Sequence, residues 1–553
     1  MLNLNQGKLP PVDPSHFAMV PKNDVPRSTF KTEHTYKTTF DFDYLVPIHV
    51  DEVLPGDVHR GNMFVFARLA NLLFPLMDNL TVESFFFFVP SRLVWSNWVK
   101  MMGQQTNPAD SIAFTLPQVV SAAGGFPVAS VYDYMGLPTV GQVGGAATVS
   151  VNSLPLRAYM RIWNEWFRDE NLQVSEPGGT DVSDGPNVVG AFLLLKRNKR
   201  HDYFTSCLPW PLKGGVEISL PMGGQATVKT NATNLLTGAQ PGLKFLLAAA
   251  GGNPVGDNAL KIDNANQTVG VASVVIGAST NNPAYPSNLY ADLSTATGAT
   301  INAMRLSIAT QQFLEKDARG GTRYTELLKN HFGVTPEDAR LQRPEYIGGG
   351  RSSVQTQAIP QTSASRLTGS TTDLGSLTAQ AVAAAQHSFT YHATEHGYII
   401  GLVNVSGDVT YQQGLHRMWT RSTRFDFYWP TFAHLGEQAV RNDELYCVGT
   451  TAGTDALTFG YQERWAEYRY RPSRITGLFK STSALNIDEW HASQQFLALP
   501  TLNTTFITQA TPATRFLAAG ALSVNQAILF DSVFSISCTR PVPVYSVPGL
   551  TRF

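Results

Sequence analysis

The chain has 553 residues, 43% of them hydrophobic and 11% aromatic, which is enough apolar material for a large buried core. Charged residues make up only 15%, and 41 Lys and Arg against 42 Asp and Glu leave a net charge of −1. That balance excludes a bulk neutraliser of nucleic acid, whose affinity comes from many phosphate contacts, and points to weakly charged faces of the kind that partners cover.

Residues 1–30 carry Pro10, Pro11, Pro14, Pro21 and Pro26 and no helical period, so they read as an extended N-terminal arm. No basic-then-apolar leader is visible, and no run of about 18 apolar residues could span a membrane. Residues 31–213 follow as the first part of a β fold. TYKTTFDFDYLVPIHV (35–50) alternates around Phe40 and Phe42 and reads as a strand, and LTVESFFFFVP reads as a buried strand closed by Pro90. The first helix is expected at LPLRAYMRIWNEWFRDENLQ, with Ser153 as N-cap, Pro155 in the first turn, and Tyr159, Ile162, Trp163, Trp166 and Phe167 on one face.

Residues 214–300 differ from their surroundings. They are rich in Gly, Ala, Asn, Thr and Val, hold few charges, and read as an insertion forming a surface protrusion. Residues 301–539 then resume the β fold, with helices predicted over 301–316 and at TRYTELLKNHFG, the latter closed by Gly333. Thr335-Pro336-Glu337-Asp338 has the pattern of a further helix start. GYIIGLVNVSGDVTYQ, RFDFYWP and SVFSISCTRPVPVY read as strands, and residues 540–553 as an extended C-terminal arm. Strands scattered between long excursions, with no βα alternation, predict a mainly β fold, an antiparallel sandwich or barrel.

Chemical motifs are sparse. The P-loop, the dinucleotide glycine pattern and the GxSxG elbow are all missing, so no cofactor and no enzymatic activity are expected. Cys207, Cys447 and Cys538 are far apart and odd in number, which suits a reducing compartment. His392, Glu395 and His396 match H-x-x-E-H, a zinc-peptidase pattern that needs a helix. Their flanks read as strand, where the two histidines would stand roughly 13 Å apart, so they read as loop or interface residues and no metal site is expected. Two basic groups remain, Lys196, Arg197, Lys199 and Arg200, and Arg464, Arg469, Arg471 and Arg474. The second lies among Tyr461, Trp465, Tyr468 and Tyr470, and arginine interleaved with aromatic rings suits single-stranded nucleic acid. These eight residues are the candidate DNA contacts.

Several blocks resemble the major capsid protein of the microviruses, particularly the gokushovirus-like branch. They are RSTFKTEHTYKTTFDFDYLVPIHVDEVLPGDVH (27–59), LRAYMRIWNEWFRDENLQ (156–173), KRHDYFTSCLPWP (199–211), RYTELLKNHFGVTPEDARLQRPEYIGGG (323–350), EHGYIIGLVNV (395–405) and FGYQERWAEYRYRPSRITGLF (459–479). The resemblance implies an eight-stranded viral jelly roll with long inserted loops. It implies sixty copies in a T=1 icosahedral shell around circular single-stranded DNA, in a virion assembled in the cytoplasm of a host bacterium. The insertion after Pro209-Trp210-Pro211 would protrude at the three-fold axes, where it could attach to the host. It further implies three partners, a small basic DNA-binding protein, an internal scaffolding protein and a DNA pilot protein, and no membrane. The competing expectation is a jelly-roll protein that binds a carbohydrate or receptor through residues 214–300.

Overall fold

In the computed structural model, the described residues are 26–215, 218, 300–336, 340–360, 362, 375–449, 453–518 and 527–545, with the backbone of the strands between 227 and 292. They form two compact units, Leu212–Arg319 and the remainder of the chain.

The larger unit is built on nine strands: β1 (Ser28–Phe40), β2 (Val46–Val53), β3 (Val58–Leu69), β4 (Leu80–Pro90), β5 (Glu345–Ser353), β6 (Gln355–Pro360), β7 (Leu377–His392), β8 (Gly397–Gly407) and β9 (Ile528–Arg540). All pair antiparallel, in the order β1-β9-β3-β7-β5-β4-β8-β2, with β6 added to β7. One half, β1-β9-β3-β7, meets the other, β5-β4-β8-β2, through a single pair, Gly348 with Phe389. Two four-stranded sheets with this interleaved order, nearly closed into a barrel, are a jelly roll. Long excursions leave it after β4 and after β8.

The two sheets differ on their outer faces, and the sequence shows why. β3 alternates strictly, with His59, Met63, Val65, Ala67 and Leu69 buried while Arg60, Phe64, Phe66 and Arg68 face out. β4 and β8 are apolar at nearly every position because both of their faces are covered. Phe86, Phe88, Ile399 and Val403 point into the barrel with Phe389, Phe530 and Phe534. Phe87, Val89, Ile400 and Leu402 point outward into a second core, formed with the first excursion.

That second core is closed by α1 (Leu154–Ile162). Its first turn is helped by Asn152, whose side chain accepts from Leu154 N at 3.0 Å, while Ser153 Oγ donates to Pro117 O instead of capping. The helix continues as a π turn, Trp163–Phe167; Tyr159, Ile162 and Trp163 are buried, whereas Trp166 is exposed. The Tyr159 hydroxyl is enclosed, donating to Leu45 O at 2.9 Å and accepting from Leu195 N at 3.0 Å. Tyr159→Phe orphans two buried backbone groups and is expected to cost about 1–3 kcal/mol, read as a lowered urea midpoint with unchanged slope.

Other expected elements meet the structure with some corrections. Residues 35–50 are two strands and not one, because the chain turns between them at Asp43, whose φ is 72°. RFDFYWP is not a strand; it forms short 3-10 turns, Arg424–Asp426 and Pro430–Phe432, fixed by Asp426 accepting from Ser422 N and Thr423 N. β8 ends at Gly407, before DVTYQ, and β9 ends at Arg540, before the PVPVY run. The helix closed by Gly333 is α3 (Tyr324–Phe332), and Gly333 takes the left-handed φ of 72°. Glu337 and Asp338 of the further helix start expected at Thr335-Pro336-Glu337-Asp338 lie outside the described residues, as do 1–25 and 546–553 of the two arms. No disulfide links the cysteines, and no described helix is long and apolar enough to cross a membrane.

In the smaller unit, strands Thr268–Val271, Pro254–Asp263, Lys244–Ala248 and Ala284–Pro286 form one antiparallel sheet in that order. Thr227–Thr230 pairs with Leu289–Asp292. The helix expected over 301–316 is α2 (Ile301–Arg319), which leaves Ile301, Leu306 and Phe313 exposed within this unit's described surface.

Candidate nucleic-acid and assembly interface

The first basic group lies along the edge of the second core, held by backbone bonds from Leu45 N to Leu195 O and from Arg197 N to Asp43 O. Its charges are largely spoken for. Glu83, buried on β4, pairs with Arg197 and with Arg200 at 2.6 Å, and Arg351 on β5 approaches it at 3.6 Å. Asp408 takes second contacts from Arg200 (3.4 Å) and Arg351 (3.1 Å). Burial, then repulsion from Arg200 and Arg351, brings the Arg197 pKa down to about 10. Lys199 turns inward, donating to Gln494 at 2.8 Å with its ammonium 4.1 Å from the Phe506 ring centre, and burial lowers its pKa to about 8. Lys196 lies over the Tyr44 ring at 5.0 Å and is half-buried. Beside them opens a cavity of about 430 Å³ with Phe85, Phe87, Trp166, Arg168, Arg200 and Tyr346 in its walls.

The second group is more open. Arg464 stacks on Trp465 at 4.9 Å, and Arg469 pairs with Glu463 at 2.5 Å. Arg471 and Arg474 are exposed and make no ion pair among the described residues. Against Trp465 and Tyr468 of the same segment, the turns that replace the expected RFDFYWP strand expose a group of rings. Trp419 is 68% exposed, and Phe425, Phe427, Tyr428, Trp429 and Tyr468 are each about half exposed. Arginines interleave with them: Arg421 lies 4.4 Å from the Tyr468 ring centre and 5.4 Å from Phe427, and Arg424 lies 4.7 Å from Phe425. The loop is held in place, because Trp429 Nε1 donates to Arg424 O, Trp465 Nε1 to Phe432 O, and Arg421 to Glu467. A fixed surface of half-exposed rings and guanidinium planes can stack bases and pair phosphates, or pack against another subunit.

Sequence reasoning reached Arg464, Arg469, Arg471 and Arg474 but missed Trp419, Arg421, Arg424, Phe425 and Trp429. The signal was present in HRMWTRSTRFDFYWP, where arginines recur among aromatics, but its apolar content was read as strand. Also missed was the outer face of β3, where Phe64 and Phe66 are about half exposed between Arg60 and Arg68.

The H-x-x-E-H residues sit at the turn joining β7 to β8, without the helix that zinc-peptidase chemistry requires. Glu395 is engaged by Arg92 at 2.7 and 3.2 Å, His396 packs on Trp98, and His392 is exposed at the end of β7.

Comparison with known proteins matches this architecture. A family model described as capsid protein (F protein) covers residues 18–550. The chain is 43% identical to capsid protein VP1 of Bdellovibrio phage phiMH2K, across 96% of this chain and 97% of that protein. It is 42% identical to capsid protein VP1 of Chlamydia phage 1 across 99% of each, and 35% identical to capsid protein VP1 of Spiroplasma virus 4 across 97% of each. With its jelly roll, its low charge and its exposed aromatic surfaces, the chain belongs to the phage capsid protein (F protein) family, as a major capsid protein of the microvirus type.

Proposed function

We propose that the chain assembles as sixty copies into a T=1 icosahedral shell enclosing circular single-stranded DNA. The observation that carries the reading is the ring-rich surface of Trp419, Phe425 and Trp429, held in a fixed loop and left open in the single chain, together with Arg471 and Arg474, which are exposed and make no ion pair among the described residues. Of the eight candidate DNA contacts, Arg471 and Arg474 suit phosphate best, because Lys199 is buried and Arg197, Arg200 and Arg469 already have carboxylate partners. Lys196 and Arg464 are half-buried against Tyr44 and Trp465 and would contribute through their ring faces. A net charge of −1 leaves the genome's phosphates to other cations, which supports a small basic DNA-binding protein. The internal scaffolding protein, the DNA pilot protein, assembly in the host bacterial cytoplasm, and a protrusion from residues 214–300 with a part in host attachment rest on the resemblance.

Electron microscopy of the chain produced with its viral partners should give closed particles of uniform size; only monomers or small rings would sink the reading. Arg471→Glu with Arg474→Glu should lower the DNA content of purified particles severalfold, because two phosphate contacts become repulsions, while empty shells still form. An equal loss of shells and DNA would move both arginines to a subunit contact. Deleting residues 214–300 should abolish adsorption to cells without preventing assembly, and unchanged adsorption would count against attachment through this segment.

A further inference from the structure

Three metal-ligating side chains converge at the end of the barrel where Val58 pairs with His392 and Ala393 N donates to Asp57 O, and none of the H-x-x-E-H residues is among them. His59 on β3 and Cys538 on β9 are directly paired across the strands, and Asp57 precedes β3 by one residue. All three are buried, with Asp57 0%, His59 1% and Cys538 7% exposed, and their donor atoms lie within 4.8 Å of one another. His59 Nε2 is 3.5 Å from Cys538 Sγ and 3.4 Å from Asp57 Oδ2. The N···O separation is long for a hydrogen bond, which centres near 2.9–3.0 Å. Both separations match the edges of a tetrahedron around one cation. Bonds of about 2.3 Å to sulfur and about 2.1 Å to nitrogen and oxygen set sulfur about 3.6 Å from nitrogen and nitrogen about 3.4 Å from oxygen.

We propose that Asp57, His59 and Cys538 form a binding site for a divalent cation of the zinc class, with a fourth position open to water. The mixed thiolate, imidazole and carboxylate set is characteristic of that class, since calcium and magnesium take oxygen ligands. Two further features support it. The second oxygen of Asp57, Oδ1, is buried without a hydrogen-bond partner, an unsatisfied anionic atom within the cluster. On the far side of the imidazole, Asp51 Oδ2 stands 3.8 Å from His59 Nδ1, beyond hydrogen-bond length but close enough for its negative charge to favour a cation held at Nε2. Binding replaces the Cys538 thiol proton with the metal and releases that proton to water. The charges then balance, with Asp57, Asp51 and the thiolate opposing the cation and Arg540, whose guanidinium lies 2.9 Å from Asp57 Oδ2. Cys538, Asp51 and Arg540 also line a cavity of about 550 Å³, so open space reaches the thiol edge of the cluster. The ion would tie the end of the last strand to the turn between β2 and β3.

The test uses the full-length chain loaded with zinc chloride, freed of excess by gel filtration and analysed by elemental mass spectrometry, with cobalt(II) as the spectroscopic probe. A single ion retained per chain is expected, together with a near-ultraviolet thiolate-to-cobalt band and the visible bands of tetrahedral cobalt. Cys538→Ser should remove the thiolate band and His59→Asn should weaken retention severalfold, whereas Cys447→Ser should change neither. Wild-type chain that retains no zinc and shows no thiolate band overturns the proposal, leaving the three groups as a loose hydrogen-bonding cluster. A band that survives Cys538→Ser also overturns it, by assigning the metal to another thiol. The wild-type measurement decides even where a variant fails to fold.

Discussion

Replacing Glu83 with glutamine is expected to destabilise the larger unit by about 3–5 kcal/mol, the cost of removing one partner from a buried ionic cluster. Glu83 lies on β4 with Arg351 opposite it on β5 and Asn404 opposite it on β8, and only 6% of it is exposed. Its carboxylate neutralises Arg197 and Arg200 and lies within 3.6 Å of Arg351. A neutral amide of the same shape keeps the packing but leaves three guanidiniums facing one another, with Asp408 the one other carboxylate paired to them among the described residues. Asp408→Asn is the control, because that carboxylate is about one-third exposed and its pairs are screened by solvent; it should cost about 1 kcal/mol or less. Urea unfolding of both variants, followed by tryptophan fluorescence, separates the cases. Equal small losses would mean that the cluster is a solvated surface network. The result also bears on function, because arginines needed to satisfy Glu83 are not available to phosphate.

How much of this was legible beforehand depended on whether a segment's role leaves a local pattern. The FFFFV run of β4 and the GYIIGLVNV run of β8 could be read because a strand buried on both faces is apolar throughout. β3 escaped notice although it alternates strictly, because Phe64 and Phe66 occupy its outer face and blur the contrast between the two sides. RFDFYWP misled for a related reason: aromatic content suggests a strand, but here the rings are held outward by turns built on Asp426 and Trp429. The division of the arginines was not readable at all. Arg200 and Arg471 look alike in sequence, and only the arrival of Glu83 from a strand more than a hundred residues away commits the first and leaves the second open. The Asp57, His59 and Cys538 cluster was hidden likewise, since β9 brings Cys538 beside a histidine near the other end of the chain.

Acid should weaken the subunit through a histidine that the barrel keeps neutral. His49 on β2 faces the interior, stacked against Phe534 at 5.1 Å and near Phe389 at 6.1 Å, and its Nε2 is buried without a partner. Burial first, then His34 on β1 and His59 on β3, pushes its pKa down to about 3. A base whose folded pKa lies below its unfolded value of about 6.5 contributes full stability above that value and loses it as the pH falls, at about 1.4 kcal/mol per pH unit until the folded pKa is reached. Between pH 7 and pH 4 this single group therefore accounts for about 3 kcal/mol. His387, also lowered by burial, acts in the same direction, whereas Asp43 and Glu444, raised by burial, act in the opposite one. The slope of the wild type alone would mix these contributions, so the informative quantity is the difference from His49→Leu. Leucine removes the proton site and the orphaned nitrogen together, so stability at pH 7 should change little or rise. Urea midpoints of unassembled subunits at pH 7 and pH 4 should show the wild type losing about 3 kcal/mol more than the variant. If both lose the same amount, the charge that opens the barrel in acid lies elsewhere, and the aromatic centre tolerates an imidazolium.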